Sequence, residues 1–369
     1  MKKLIILGSI LVLSLFLAAC GEIVNSTESP SISPTTEVEQ KQEIKDSIFF
    51  FTADEGGISK VDALTNKLVE TIKIEGSVHN VQISPNNKII GGVVVPLDSH
   101  GDHDESGDSH KHNENETSDE SNGKAVFYDA YTSQLIREVE VGSHPAHIVF
   151  TEDSKYAVVS NDEENNVSVI DLSTFEVIGT IPTGSGPHGF RIAKDSQTVY
   201  VANMGEDTVS VLDIKSMEEI KRINVGDTPV TTGITSDGNL LLTTLNAENA
   251  LAIVDLATDS VEKIAVGEGP AQVYIQSDDK YAFVANQGTP NNPSNTITKI
   301  NLMTRKVVTT IEVGKGAHGV VTSNDNKFVY VTNMYENTVS VINNDTNQVV
   351  ATVKVGKVPN GITVQTFSK

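Results

Sequence analysis

A repeat of about 42 residues constrains this chain more than any other feature. A glycine that closes a β-rich segment recurs at Gly142, Gly184, Gly226, Gly267, Gly314 and Gly356, at spacings of 42, 42, 41, 47 and 42. Gly76 is a seventh member, 66 residues before Gly142, so one period carries about 24 extra residues. Proline follows three residues later at Pro145, Pro187, Pro229, Pro270 and Pro359, with Ala317 once in that place. Within one period, GFRIA, TVYVANM, TVSVLDI and EIKRINV are short runs rich in Val, Ile and Tyr, separated by the turn-type clusters KDSQ, GED and KSM. Four-stranded units at this period cannot each bury both faces alone, so they stack round an axis as a propeller.

The ends of the repeat predict how the ring closes. The chain enters on SIFFFTA, GISKVDA and KLVETIKI, three strands without an inner partner, and leaves on GITVQTF (361–367), an inner strand without the other three. The expected fold is all-β: a seven-bladed β-propeller of four-stranded antiparallel blades over 47–369, closed by a 1+3 strand clasp between the N- and C-terminal segments. Closure of that kind removes exposed strand edges. YVTNMYENTVSVIN (330–343), YVANMGEDTVSVLD (200–213) and the V-G-x-x-P-x-G punctuation resemble the repeats of YVTN-family, YncE-like β-propellers. The resemblance covers 47–369; it implies the fold strongly and the function weakly.

The first twenty residues carry an address. Lys2 and Lys3 precede an apolar run from Leu4 to Ala19, too short for a comfortable membrane span, followed by Cys20 and Gly21. Leu17-Ala18-Ala19-Cys20 resembles the lipobox of bacterial lipoproteins, which implies a signal peptide over 1–19 and acylation of Cys20. Several acyl chains on one residue suffice for stable anchoring. The expected location is the extracytoplasmic face of the cell membrane, with the lipid bilayer as a partner through Cys20. Residues 20–46 are rich in Ser, Thr, Pro and Glu and read as a tether with nothing to bury. Cys20 is the only cysteine, so no internal disulfide is available.

Charge narrows the partners. With 49 Asp+Glu against 27 Lys+Arg the chain carries −22, which repels phosphate and excludes a nucleic-acid role. Part of that charge sits in the extra residues, PLDSHGDHDESGDSHKHNENETSDESNG (96–123), where four of the nine histidines also lie. His100, His103, His110 and His112 are interleaved with acids that include Asp102 and Asp104. Neutral imidazoles and carboxylates on a flexible backbone form a ligand set for divalent zinc, with nickel and copper as alternatives. An acidic solvated loop with incidental histidines is the competing reading.

Blade topology adds a second candidate. The insertion connects a second strand to a third, and such connections emerge on the same rim as the entries to the inner strands. His79, His147, His188 and His318 lie at those entries, with His144 one step before Pro145. Each taken singly reads as a turn-capping residue; taken together with the loop they read as a metal site at the mouth of the channel. Asn161, Asn203, Asn286 and Asn333, which end second strands on this rim, read as structural through local side-chain bonds.

Three functions follow. The first is a lipid-anchored propeller that captures divalent metal, zinc first, and passes it to a metal-importer component; the loop's composition is similar to that of propeller-type zinc chaperones of ABC importers. The second is a binding or scaffold propeller for a cell-surface protein or cell-wall polymer. The third is an enzyme, by analogy with lactonase and quinone-dependent dehydrogenase propellers. Against it stand the lack of a G-x-S-x-G elbow, of a second Cys and of any Trp to stack a quinone. The expectation is therefore a monomer that is not an enzyme.

Overall fold

The computed structural model describes residues 48–96 and 123–365. Cys20, the leader, the tether, and the insertion residues His100, Asp102, His103, Asp104, His110 and His112 lie outside the described residues. Among the described residues no helix is long and apolar enough to cross a membrane.

Among the described residues twenty-six strands follow one another in chain order. The first five are β1 (Phe49–Asp62), β2 (Lys67–Ile83), β3 (Ile89–Val95), β4 (Lys124–Asp129) and β5 (Leu135–Glu140). A four-stranded sheet follows from β6 (Pro145–Phe150), β7 (Tyr156–Asn161), β8 (Asn166–Asp171) and β9 (Glu176–Pro182). The next comprises β10 (Pro187–Ile192), β11 (Thr198–Asn203), β12 (Thr208–Asp213) and β13 (Glu218–Asn224). Then come β14 (Pro229–Ile234), β15 (Leu240–Leu245), β16 (Ala250–Asp255) and β17 (Ser260–Ala265). After them stand β18 (Pro270–Ile275), β19 (Tyr281–Thr289), β20 (Asn292–Asn301) and β21 (Lys306–Glu312). The last full set is β22 (Ala317–Thr322), β23 (Phe328–Asn333), β24 (Thr338–Asn343) and β25 (Gln348–Lys354), and β26 (Ile362–Val364) ends the chain's strands.

Each sheet is an antiparallel meander whose strand types follow from burial. The second and third strands are nearly continuous apolar runs, such as VYVA in β11 and VSVL in β12, because both faces pack on neighbouring sheets. The fourth strand alternates, as in β13 (EEIKRIN), where only Ile223 is buried. Most turns before the fourth strands share one device: the Asp or Asn that ends the third strand accepts a backbone N–H two residues on. Asp171 takes Ser173 N at 2.7 Å, Asp213 takes Lys215 N at 2.8 Å and Asn343 takes Asp345 N at 3.1 Å. The segment TPNNPSN (289–295), which lies within the 47-residue spacing from Gly267 to Gly314, lengthens one hairpin, with Thr289 opposite Asn292.

The architecture is a β-propeller of four-stranded antiparallel blades, but the strands form six sheets rather than the seven expected from the repeats. Five sheets have four strands; the sixth has six, in the order β26-β1-β2-β3-β4-β5. The difference arises because β1 and β2, of 14 and 17 residues, are each one continuous strand and pair with each other despite register shifts between Glu55 and Gly57 and between Lys60 and Val61. β2 pairs with β1 through Lys67–Lys73 and with β3 through Ser77–Ile83, so one strand joins what two separate repeats were expected to form. β26 pairs with β1 (Phe50 opposite Val364, Thr52 opposite Ile362) and, among the described residues, with no other strand.

The core lies between the sheets. One cluster joins Val158, Val167 and Val169 to Phe190, Val199 and Leu212 of the next sheet, and similar clusters recur round the molecule. Phe51, Ala53 and Ile58 pack on Val78, Val81 and Ile90, although all six belong to the six-stranded sheet. That sheet therefore folds over on itself. The first strands touch in a ring, each against the next, from β2 through β6, β10, β14, β18 and β22 to β26 and back to β2.

Candidate functional site

The entries to the first strands define one rim. Pro145 docks on the connection before it: a Cβ on Gly123, the last residue of the insertion, would strike its ring. Gly123 N donates to Gly142 O at 3.3 Å, so the insertion returns to the sheet beside the next entry. The second-strand asparagines secure the same rim. Asn161 Oδ1 accepts from Gly142 N at 3.1 Å while its Nδ2 donates to Ser168 Oγ at 2.9 Å, and Asn286 and Asn333 repeat the pattern. The rim acids Glu164 and Glu206 accept from Ser143 N and Ser185 N.

Three histidines converge on this rim. His79, His147 and His188, from β2, β6 and β10, each offer a nitrogen, and the three atoms lie within 4.8 Å of one another. The ring centroids are 4.9 Å apart for His147 and His188, 5.4 Å for His79 and His188, and 6.0 Å for His79 and His147. His144, which is not among the expected ligands, stands 6.5 Å from His79, ring to ring. Its place in SHPAH, three residues before His147, was the available signal.

Neighbouring carbonyls set the protonation of the ligand nitrogens. His79 Nδ1 donates to Ala146 O at 2.8 Å, His188 Nδ1 to Val230 O at 3.2 Å and His318 Nδ1 to Asn360 O at 3.1 Å. In every case the acceptor is the residue at the equivalent position of the next first strand. A carbonyl only accepts, so each of these imidazoles carries a proton on Nδ1, which in the neutral ring puts the lone pair on Nε2. That is the tautomer a metal-binding histidine needs.

His147 differs from its neighbours. It is 2% exposed, its backbone N donates to Ser160 Oγ at 3.0 Å, and both ring nitrogens are buried without a hydrogen-bond partner among the described residues. Burial holds its pKa well below the ordinary value, helped by His188, His79, Arg191 and His318. A buried polar group left unpaired is costly, and native proteins rarely keep one without a use. A tetrahedral zinc with bonds of about 2.05 Å places its nitrogen ligands roughly 3.3 Å apart, a small closure from the present spacing. The donor set therefore fits a borderline divalent ion. His318 belongs to the same rim and acts electrostatically on His147, but stands outside the three-nitrogen cluster.

The fold and this rim define a class: a β-propeller whose blade entrances gather imidazoles round its axis. The chain belongs to the YncE-like β-propeller family, whose model matches residues 128–233 and 288–368. No curated protein matches it. Among solved structures it is similar to the hydrazine synthase of Kuenenia stuttgartiensis, at 21% identity and a TM-score of 0.65 over 79% of this chain and 91% of that one. It is similar to the periplasmic gluconolactonase PpgL of Pseudomonas aeruginosa, at 14% identity and a TM-score of 0.67 over 86% and 99%. A protein of unknown function from Desulfotomaculum acetoxidans DSM 771 matches at 13% identity and a TM-score of 0.68 over 87% and 99%.

These neighbours correct one expectation. Two of them are enzymes, so this architecture carries catalysis, and the expectation that the protein is not an enzyme is withdrawn. The reason is physical: a propeller builds its sites from residues converging on the axis from several blades, so missing linear motifs exclude little.

Proposed function

We propose that this protein binds a divalent metal ion, zinc first, at the mouth of its channel through His79, His147 and His188, with His318 beside them. The observation that carries the reading is His147: a buried neutral imidazole with two unpartnered nitrogens, set between two imidazoles whose tautomers present Nε2. The insertion serves as a collector, its His100, His103, His110 and His112 exchanging metal with the rim, and Asp102 and Asp104 drawing cations toward it. Cys20 anchors the chain at the extracytoplasmic membrane face, from which the metal passes to an importer component. Calorimetric titration of the full chain with zinc, with nickel and copper in parallel, tests this against His147→Ala and a variant lacking 98–122. Tight binding that His147→Ala weakens by about a hundredfold supports the rim site. Equal binding in the wild type and His147→Ala removes it.

We also propose that the six-stranded sheet is two blades, making seven in all. Support comes from β1, where Ala63 N donates to Ile48 O at 2.8 Å and the only exposed residues are Glu55 and Gly56, the pattern of a hairpin turning at its centre. On this reading β26, the two halves of β1 and the first half of β2 form the clasped blade. Native hydrogen exchange tests it: Ala53 N donates to Gly361 O at 3.0 Å across the clasp, so protection as strong at Phe51 and Ala53 as at Val199 and Val201 is expected, and rapid exchange there removes the clasp.

A further inference from the structure

The first strands carry one formal charge between them. Across 77–83 and strands β6, β10, β14, β18, β22 and β26 there is no Asp or Glu, and Arg191 is the only Lys or Arg. In a chain of net charge −22 that lining is inverted relative to the whole. Arg191 lies in β10 between Phe190 and Ile192, both buried in the core toward β8 and β11. Alternation turns the arginine the other way. A Cβ on Gly189, which shares that direction, would strike Thr231 of β14, so this side of β10 faces β14.

Register puts three residues of successive sheets at one level. Arg191 pairs with Tyr200, Gly233 with Leu242 and Tyr274 with Phe283, equivalent positions in each repeat. Gly233 has no side chain, so the arginine has room to run past it toward Tyr274, with which it interacts electrostatically. Among the described residues the guanidinium makes one hydrogen bond, Nη1 to Phe190 O at 3.0 Å, and no carboxylate pairs with it. Glu152 lies close enough to Tyr274 to act on its phenol, whereas Arg191 feels Tyr274 and no acid. Arg191 is half-buried, so its guanidinium stays open to the channel and, without a counter-charge among the described residues, is placed to take an anion that a ligand supplies.

We propose that Arg191 and Tyr274 form an anion site inside the channel, which takes a carboxylate or other oxyanion group of a small molecule. The planar guanidinium fork receives two oxygens of the anion, and the Tyr274 hydroxyl donates to one of them. The site lies three residues along β10 from His188 and does not depend on metal at the rim.

The test uses the full chain in metal-free Tris chloride, titrated separately with citrate and with inorganic phosphate and followed by calorimetry and thermal melting. Wild type binds at least one probe and melts higher with it; Arg191→Gln loses about tenfold or more in affinity and Tyr274→Phe loses less. Citrate alone binding identifies a carboxylate ligand, and phosphate alone a phosphate ligand. Without probe, Arg191→Gln melts no lower than wild type, because it removes an uncompensated charge. Arg191→Lys keeps the charge without the fork and binds between the two. Binding that is absent in wild type, or undiminished in Arg191→Gln, overturns the proposal. If Arg191→Gln does not fold, undiminished binding in Arg191→Lys overturns it instead. The metal reading is untouched by either result, since no metal is present.

Discussion

Asp54 occupies the position that Asn161, Asn203, Asn286 and Asn333 hold in other repeats. Its carboxylate accepts from Thr52 Oγ1 at 2.9 Å and Ser59 Oγ at 2.5 Å, while Gly356 N donates to Ser59 Oγ at 3.1 Å, as Gly184 N does to Ser210 Oγ at 3.0 Å. Burial overrides these bonds and pushes Asp54 up to about 6. The folded state thus favours protonated Asp54, and that contribution is complete below the unfolded value near 3.8 and lost as pH rises through about 6. Two pH units correspond to about 3 kcal/mol. Asp54→Asn, which supplies the amide its siblings carry, is expected to raise the melting temperature at pH 8 and to change it little at pH 4; melting curves at both pH values check this. At the same scale, His188→Ala removes the donor to Val230 O and one ligand of the proposed centre, and is expected to lower zinc affinity about tenfold or more in a direct titration.

Strands decide how the ring holds together. β26 contributes only Ile362–Val364, yet Ile362 and Val364 are 2% and 8% exposed and Phe49 N donates to Gln365 Oε1 at 3.0 Å. Truncation after Asn360 strips two buried aliphatic side chains and bares one edge of β1. The expected cost is about 4 kcal/mol or more, with self-association through the bared edge, to be read from denaturant melts and size-exclusion chromatography. Buried lysines tie neighbouring repeats in a similar way. Lys299 Nζ donates to Asn344 O at 2.8 Å and Asn347 Oδ1 at 2.9 Å and lies 4.4 Å from the Tyr281 ring, while Lys60 Nζ reaches Ala130 O and Tyr131 O. Lys299→Met keeps the stem and strands two acceptors, and a loss of about 1–3 kcal/mol is expected in the same melts. These ties were not legible in the chain, because a lysine in a strand reads as a solvated residue until the next repeat's turn is seen above it.

At the scale of the whole molecule, charge is unevenly held. Residues 98–122 contain nine acids and one lysine, so their removal takes the net charge from −22 to −14. The deletion is expected to leave the melting temperature of the propeller within about 2 °C and to slow zinc capture at low ionic strength, with the difference fading in salt; stopped-flow binding at two salt concentrations checks it. The repeat, the strand types and the punctuation at each blade entrance were legible in the sequence because each is local: alternation, turn residues and a 42-residue period need no distant partner. The sheet count was not, since whether β1 and β2 pair continuously depends on how the two ends of the chain meet.

The sequence by itself determined that four short strands recur, that they must stack to bury their faces, and that histidines fall at the blade entrances. Only the tertiary structure decided which histidines meet. His79, His147 and His188 are separated by 68 and 41 residues, and they converge because successive first strands stand side by side round one axis. It also decided their chemistry. The carbonyls of Ala146 and Val230 fix the tautomers of His79 and His188 from the neighbouring repeat, and burial among these rings leaves His147 neutral and unpaired. A proton's place on an imidazole depends on what lies within about 3 Å of it, and in a ring of repeats that neighbour is always one full period away in the chain.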